Sequence, residues 1–200
     1  MRSKQTYTEM QRRAQLIAAA IEVVAERGYV NASLSVIATH AGTSKGVLLY
    51  HFAGKEDLLA AVVDQVFRTA RDTLGPKIQA ADGPRDRLRT YVTERIRFLA
   101  EHATAMRALL DIAITGRTPV GEQLHPEIGP ESAVRDLETL LAAGQADGVF
   151  REFELRPMAL MISQAVDGVL LQLAGRPDLD LELYAREIST AIDLATRRAP

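Results

Sequence analysis

Apolar residues recur at intervals of three and four along nearly the whole chain, and no stretch alternates apolar with polar residues between hairpin turns. A chain patterned in this way has no strand faces to pair, so the expected fold is all-α. Ile17, Ala20, Ile21 and Val24 fall at i, i+3, i+4 and i+7 and give a first helix one buried stripe, with Gly28 as its left-handed stop. Tyr29 to Asn31 reads as a connector. Ser33 is placed to cap a short second helix that turns Ile37, Ala38 and Ala41 inward. Gly42 breaks that helix, and Ser44 is placed to cap a third beginning at Lys45. Two short helices across a tight glycine turn make a helix-turn-helix.

Beyond Ala53-Gly54 a longer helix is expected from about Lys55 into the low seventies, ending before Gly75-Pro76. The domain boundary is placed along it, giving an N-terminal domain over 10–70, with the helix-turn-helix at about 33–52, and a second helical domain over 71–200. Asp82-Gly83-Pro84 opens another helix, with Pro84 in the first turn, where its missing N–H has no partner to lose. Shorter helices are expected over Thr104–Thr115 and Pro130–Ala146, separated by a breaker-rich stretch, Gly116 to Pro130, that reads as a mobile loop. Two last helices are expected over Arg156–Ala174 and Leu181–Arg198, split by Gly175-Arg176-Pro177-Asp178.

Charge is unevenly spread. Residues 1–55 hold seven Lys and Arg against three acids, a net +4, whereas the rest of the chain carries −6, so that the overall −2 hides a basic end suited to phosphate. With 47% apolar and 25% charged residues in a chain of 200, the composition is that of a globular protein large enough for two modest cores. No cysteine is present, which excludes disulfides and thiolate metal sites. The N-terminus leads into polar sequence and no apolar run approaches the roughly 20 residues of a membrane span, so the chain reads as cytoplasmic, with no membrane partner. The four histidines show no i, i+4 pairing, so no metal and no cofactor is expected, although a carboxylate-assisted site at Glu101 and His102 stays open. Gly42-Thr43-Ser44-Lys45-Gly46 fits the string of a hydrolase nucleophile elbow, but that needs a strand before it and a sheet beneath it. No nucleophile–base pair stands out, and an enzyme is the remote alternative.

The stretch Ser33 to Phe52 concentrates requirements that agree with one another. Small Ala38 and Ala41 let two helices approach, Ser44 caps the helix that would enter a major groove, and Lys45 adds charge. Gly46 lets backbone come close to DNA, while Tyr50 and His51 offer polar aromatic tips. Lys55 opens the next helix, where its charge and nearby N–H groups suit a phosphate. Taken singly, Lys45 and Lys55 would be solvated lysines and His51 a half-buried structural histidine; His40 lies on the outward face of its helix.

The residues Ile37-Ala38, Ala41-Gly42-Thr43-Ser44-Lys45-Gly46, Phe52, Lys55-Glu56 and Leu58-Leu59 resemble the DNA-binding domain of the tetracycline-repressor (TetR) family, over about residues 10–70. Asp147-Gly148-Val149-Phe150-Arg151 and Ala165-Val166-Asp167-Gly168-Val169-Leu170-Leu171 are similar, less specifically, to its regulatory domain. The resemblance implies about nine helices, a homodimer paired through the last two, and DNA contact by Ser33, Thr43, Ser44, Lys45, Gly46, Val47, His51 and Lys55, with Tyr50 a further candidate. Many members carry Tyr where this chain has Leu49. A leucine there either touches a thymine methyl or packs inward, and Tyr50 either takes over the phosphate contact or joins the core.

In the C-terminal half, Met161, Ala165, Gly168, Val169 and Gln172, with Tyr184, Ile188, Ala191, Ile192 and Ala195, repeat at helical spacing. Periodicity alone is equally served by an intrachain core, and the resemblance favours a dimer interface. A dimer sets two recognition helices roughly 34 Å apart on successive major grooves of a palindrome. Phe67, Tyr91, Phe98, Met106, Leu109, Leu110 and Ile114 are candidates for an effector pocket, otherwise core, and their character suggests a small apolar or aromatic ligand. The expected function is a DNA-binding repressor released from a palindromic operator by that ligand. The alternative is the same fold acting without a small molecule under a protein partner's control.

Overall fold

The computed structural model describes residues 7–115, 130–176 and 178–198. Among them are nine helices: α1 Tyr7–Asn31, α2 Leu34–His40, α3 Lys45–His51, α4 Lys55–Ala80, α5 Gly83–Glu101, α6 Ala103–Thr115, α7 Pro130–Ala146, α8 Leu155–Gly175 and α9 Leu181–Thr196. No strand occurs among the described residues; one isolated bridge joins Phe150 to Arg197. No described helix is long and apolar enough to cross a membrane. The fold is the all-α one that the apolar spacing predicts.

The chain divides into two compact units. One takes in the described residues up to Val66 and those of α6 from Thr104; the other runs from Phe67 to Ala103 and from Pro130 onward. In the first, α1 packs on α2 and α2 on α3. The stripe on α1 is Leu16, Ile17, Ala20, Val23 and Val24, all buried, and the same core holds Ile37, Ala38, Leu48, Phe52, Leu58 and Leu59. Burial of each large aliphatic side chain contributes on the order of 1.5–3 kcal/mol, which lets helices as short as α2 and α3 persist. In the second unit α5 is central, packing on α7, α8 and α9, with α7 also against α8. Its core includes Leu88, Val92, Ile96 and Leu99 of α5, Leu137 and Leu141 of α7, and Ile162 and Val166 of α8.

Three element boundaries differ from the sequence reading. The break at Gly28 is present (φ 78°, ψ 158°), but a helical turn resumes to Asn31. Helix α4 does not end before Gly75-Pro76 and continues to Ala80 with Pro76 inside it. Proline clashes with the Cβ and N–H of the residue before it, and glycine at 75 removes the Cβ half of that clash, so the pair is tolerated. Helix α9 stops at Thr196 rather than Arg198, because Arg197 turns extended and the backbone pairs with 149–151, Arg151 N–H donating to Thr196 O at 2.9 Å. The expected mobile loop, Gly116 to Pro130, lies outside the described residues up to its last position, Pro130, which opens α7.

Candidate nucleic-acid interface

The turn between α2 and α3 is built from three backbone hydrogen bonds. Ala41 N–H donates to Ile37 O (2.9 Å), Gly42 N–H to Thr39 O (3.1 Å) and Thr43 N–H to Ala38 O (2.9 Å), which takes up the carbonyls that a helix end leaves open. Gly42 sits at φ 63°, the left-handed conformation this cap requires and that a side chain would strain. Both helices start on serine caps. Val36 N–H donates to Ser33 Oγ and Val47 N–H to Ser44 Oγ, each at 3.3 Å. Such a cap contributes about 1 kcal/mol.

Leu48 is fully buried and anchors α3 to the core, and it points the opposite face of the helix outward. Lys45 and Gly46 are exposed there, beside Val47 (37% exposed), Leu49 (44%) and Tyr50 (74%). Neither alternative that packed Leu49 or Tyr50 in the core holds. The Tyr50 hydroxyl donates to Glu9 Oε1 at 3.4 Å, and its ring meets His51 edge-on, centroids 5.1 Å apart. His51 is half-buried. The outward His40 is tied to α1, its Nε2 lying 2.6 Å from Glu22 Oε2.

Lys55 behaves differently from the other candidates. Its Nζ donates to Tyr29 O and stands 4.2 Å above the Tyr29 ring. The N–H of the same tyrosine donates to Asp111 of α6, whose other oxygen accepts from Thr115 Oγ1 at 3.1 Å. Partial burial holds the Lys55 ammonium below the usual lysine range, opposed by the charges of Glu56 and Asp111. The structure places this ammonium on the break that follows α1.

One cation outside the predicted set stands beside the turn. Arg12 of α1 donates through Nη2 to Thr43 Oγ1 (3.4 Å) and through Nη1 to Gln15 Oε1 (3.1 Å). Its neighbour Arg13 stacks over Phe52, 4.7 Å from the ring centroid. The basic excess of the first 55 residues is the sequence signal for Arg12, but nothing in its spacing says that α1 brings it to the turn. Two capped helices, a left-handed glycine and an outward face of apolar and basic side chains make a helix-turn-helix reader of DNA.

Comparison with known proteins agrees. The family model for bacterial regulatory proteins of the tetR family matches residues 16–62. The HTH-type transcriptional regulator BetI of Cronobacter sakazakii is 30% identical over 186 residues, covering 90% of this chain and 87% of that relative. The chain belongs to the TetR family of transcriptional regulators. A second BetI, from Stenotrophomonas maltophilia, is 35% identical over 100 residues, about half of each chain. The TetR fold extends over nearly the whole molecule: the regulator FadR of Bacillus subtilis, solved in complex with stearoyl-CoA, superposes with a TM-score of 0.80 at 20% identity, covering 90% of this chain and 96% of that one.

The TetR regulatory candidates fall as follows. Tyr91, Phe98 and Met106 are buried, whereas Phe67, Leu109 and Leu110 are half-buried. Ile114 is 67% exposed, because the buried face of α6 follows Ala108 and Ile112, and a residue two beyond Ile112 turns away from it. His102 stacks on Phe98 at 4.2 Å. Among the interface candidates Val169 and Ile192 are buried in the protomer's own core, while Met161, Ala165, Gln172 and Ala191 are exposed and Gly168, Tyr184, Ile188 and Ala195 half-buried. An apolar groove of about 370 Å³ runs between α8 and α9, lined by Ala165, Gly168, Val169, Gln172, Leu183, Tyr184, Glu187 and Ile188.

Proposed function

We propose that this regulator binds a palindromic operator as a homodimer and is released from it by a small, largely apolar effector. The observation that carries the reading is the outer face of α3, where Val47, Leu49 and Tyr50 stand exposed beside Lys45 on a helix otherwise pinned by buried Leu48. Apolar side chains held outward beside a lysine serve no core, and they suit base edges, thymine methyls and sugar-phosphate. Ser33, Thr43, Ser44 and Gly46 complete the contact set.

The groove between α8 and α9 supports the dimer. Met161 and Leu171, 49% and 59% exposed, extend its apolar surface on α8. For the effector, Tyr91 offers a buried hydroxyl beside Ser163 and the Arg95–Asp167 ion pair (2.7 Å), with no hydrogen bond of good geometry among the described residues. A buried hydroxyl of this kind is costly unless something satisfies it, which favours a ligand with an apolar body and one hydrogen-bonding group. That the Bacillus subtilis relative in fold carries stearoyl-CoA supports such a body.

The test is selection of duplexes from a random DNA pool, footprinting of the winner, and titration of that complex with acyl-CoAs of increasing chain length, alongside a thermal-shift screen. A protected palindrome, released about 5–150-fold by a compound that also raises the melting temperature, is the expected result. Selection of no sequence overturns operator binding. A protected site indifferent to every stabilising compound overturns release by a small molecule and favours control by a protein partner.

A further inference from the structure

We propose that Arg12 of α1 and Thr43 of the helix-turn-helix turn together grip one DNA backbone phosphate at the edge of the α3 footprint. The proposal rests on DNA binding by α3 and adds a residue from a different helix to it.

The first observation is one of charge. Arg85, Arg89, Arg95, Arg97 and Arg156, in the helical unit, each lie against a carboxylate. Arg12, like Arg87 and Arg151, donates to neutral oxygens, those of Gln15 and Thr43, so its charge is left uncompensated by its hydrogen-bond partners, and of the three it is the one beside the helix-turn-helix. Its side chain is nonetheless held in place, half-buried, on a helix face whose neighbours Arg13 and Leu16 are pinned by Phe52 and by the core. A guanidinium that is held in position and makes no ion pair among the described residues has already given up much of the freedom that binding an anion would take from it.

The second observation is the state of Thr43. Its backbone N–H is committed to Ala38 O, so only the side chain can reach outward. Because Oγ1 accepts from Arg12, the hydroxyl proton is directed elsewhere and remains a donor. Guanidinium and hydroxyl, joined by that bond, each retain donors that a phosphate oxygen can take up.

The third observation gives direction. Glu9, one turn before Arg12 on the same helix, meets Tyr50 near the far end of α3. Arg12, with Lys45 close in sequence to its partner Thr43, places positive charge at the near end of α3. The pattern sets where a strand passes α1 without reading any base.

The experiment is a salt titration of DNA affinity by fluorescence anisotropy, on a duplex selected by the wild-type protein and on an unrelated duplex of equal length. Arg12→Gln keeps most of the stem and removes the charge. It should weaken both duplexes by the same factor, roughly tenfold per protomer, and lower the slope of log K against log salt by about 0.9 for each phosphate that is no longer neutralised. Arg12→Lys should keep the slope while giving up part of the affinity. Thr43→Val should cost less in the Arg12→Gln background than in the wild type, and melting temperatures report whether each variant is folded. A folded Arg12→Gln with unchanged slope overturns the clamp, as does a weakening confined to the selected duplex or strict additivity of the pair. Wild-type protein that binds neither duplex removes the DNA reading itself, a result distinct from any of these.

Discussion

At Gly144 on α7 there is no room for a side chain, because a Cβ there would sit 2.1 Å from the ring of Phe150. The ring is buried, and the N–H groups of Val149 and Phe150 both donate to Gly144 O, at 3.0 and 2.9 Å, so the backbone cannot yield either. Gly144→Ala should therefore cost about 1–3 kcal/mol, seen as a lower melting temperature, with the cost shrinking in a Phe150→Ala background. Lys55 is a second residue whose surroundings come from tertiary packing. Its place at the start of α4 suggests a phosphate, while its ammonium lies on Tyr29. Lys55→Ala should lower the melting temperature by breaking that clasp, and leave the salt dependence of DNA binding as it is in the wild type. A shallower slope in a stable Lys55→Ala protein would return the residue to the DNA contacts.

Pairs of helices in the second unit are joined by ion pairs as well as by apolar faces. Lys77 of α4 reaches Glu94 of α5 at 2.5 Å, Arg97 links Glu94 to Glu182 of α9, and Arg85 of α5 holds Asp193 of α9 through two bonds of 2.6 and 2.7 Å. The Glu94 carboxyl is lowered chiefly by the Lys77 hydrogen bond, and that of Asp193 by the Arg85 bond. A carboxylate whose pKa is lower folded than unfolded binds fewer protons in the native state. Its stabilisation is then present above the ordinary carboxylate range and lost as pH falls below about 4 through the depressed values. Melting temperature measured from pH 6 to pH 3 should fall over that limb, and Glu94→Gln with Asp193→Asn should flatten it. A wild-type acid limb retained by the double variant would show that other groups set it. These pairings join residues up to 108 positions apart, as Arg85 and Asp193 do, and no periodicity in the sequence announces them.

At the scale of the whole molecule the proposed dimer is the testable feature. Gly168 has open space around the position of a Cβ within its own protomer, and it lines the groove between α8 and α9. Gly168→Arg should leave the melting profile close to wild type, produce monomers in sedimentation, and abolish high-affinity binding to a palindrome. Dimers that persist in this variant would move the interface elsewhere. Local rules made the sequence sufficient for the all-α class, the serine caps at Ser33 and Ser44, the turn at Gly42 and the helix over Pro130–Ala146, because capping, helical period and left-handed backbone depend on residues a few positions apart. The family was legible for the same reason, its signature lying within one short stretch. Tertiary structure alone decided that α4 runs through Pro76, that Leu49 and Tyr50 face outward, that Lys55 folds back on Tyr29 and that Arg12 arrives beside Thr43. Each of these depends on which side chains distant in sequence occupy the neighbouring space, and a helical period fixes the face of a residue without naming what that face will meet.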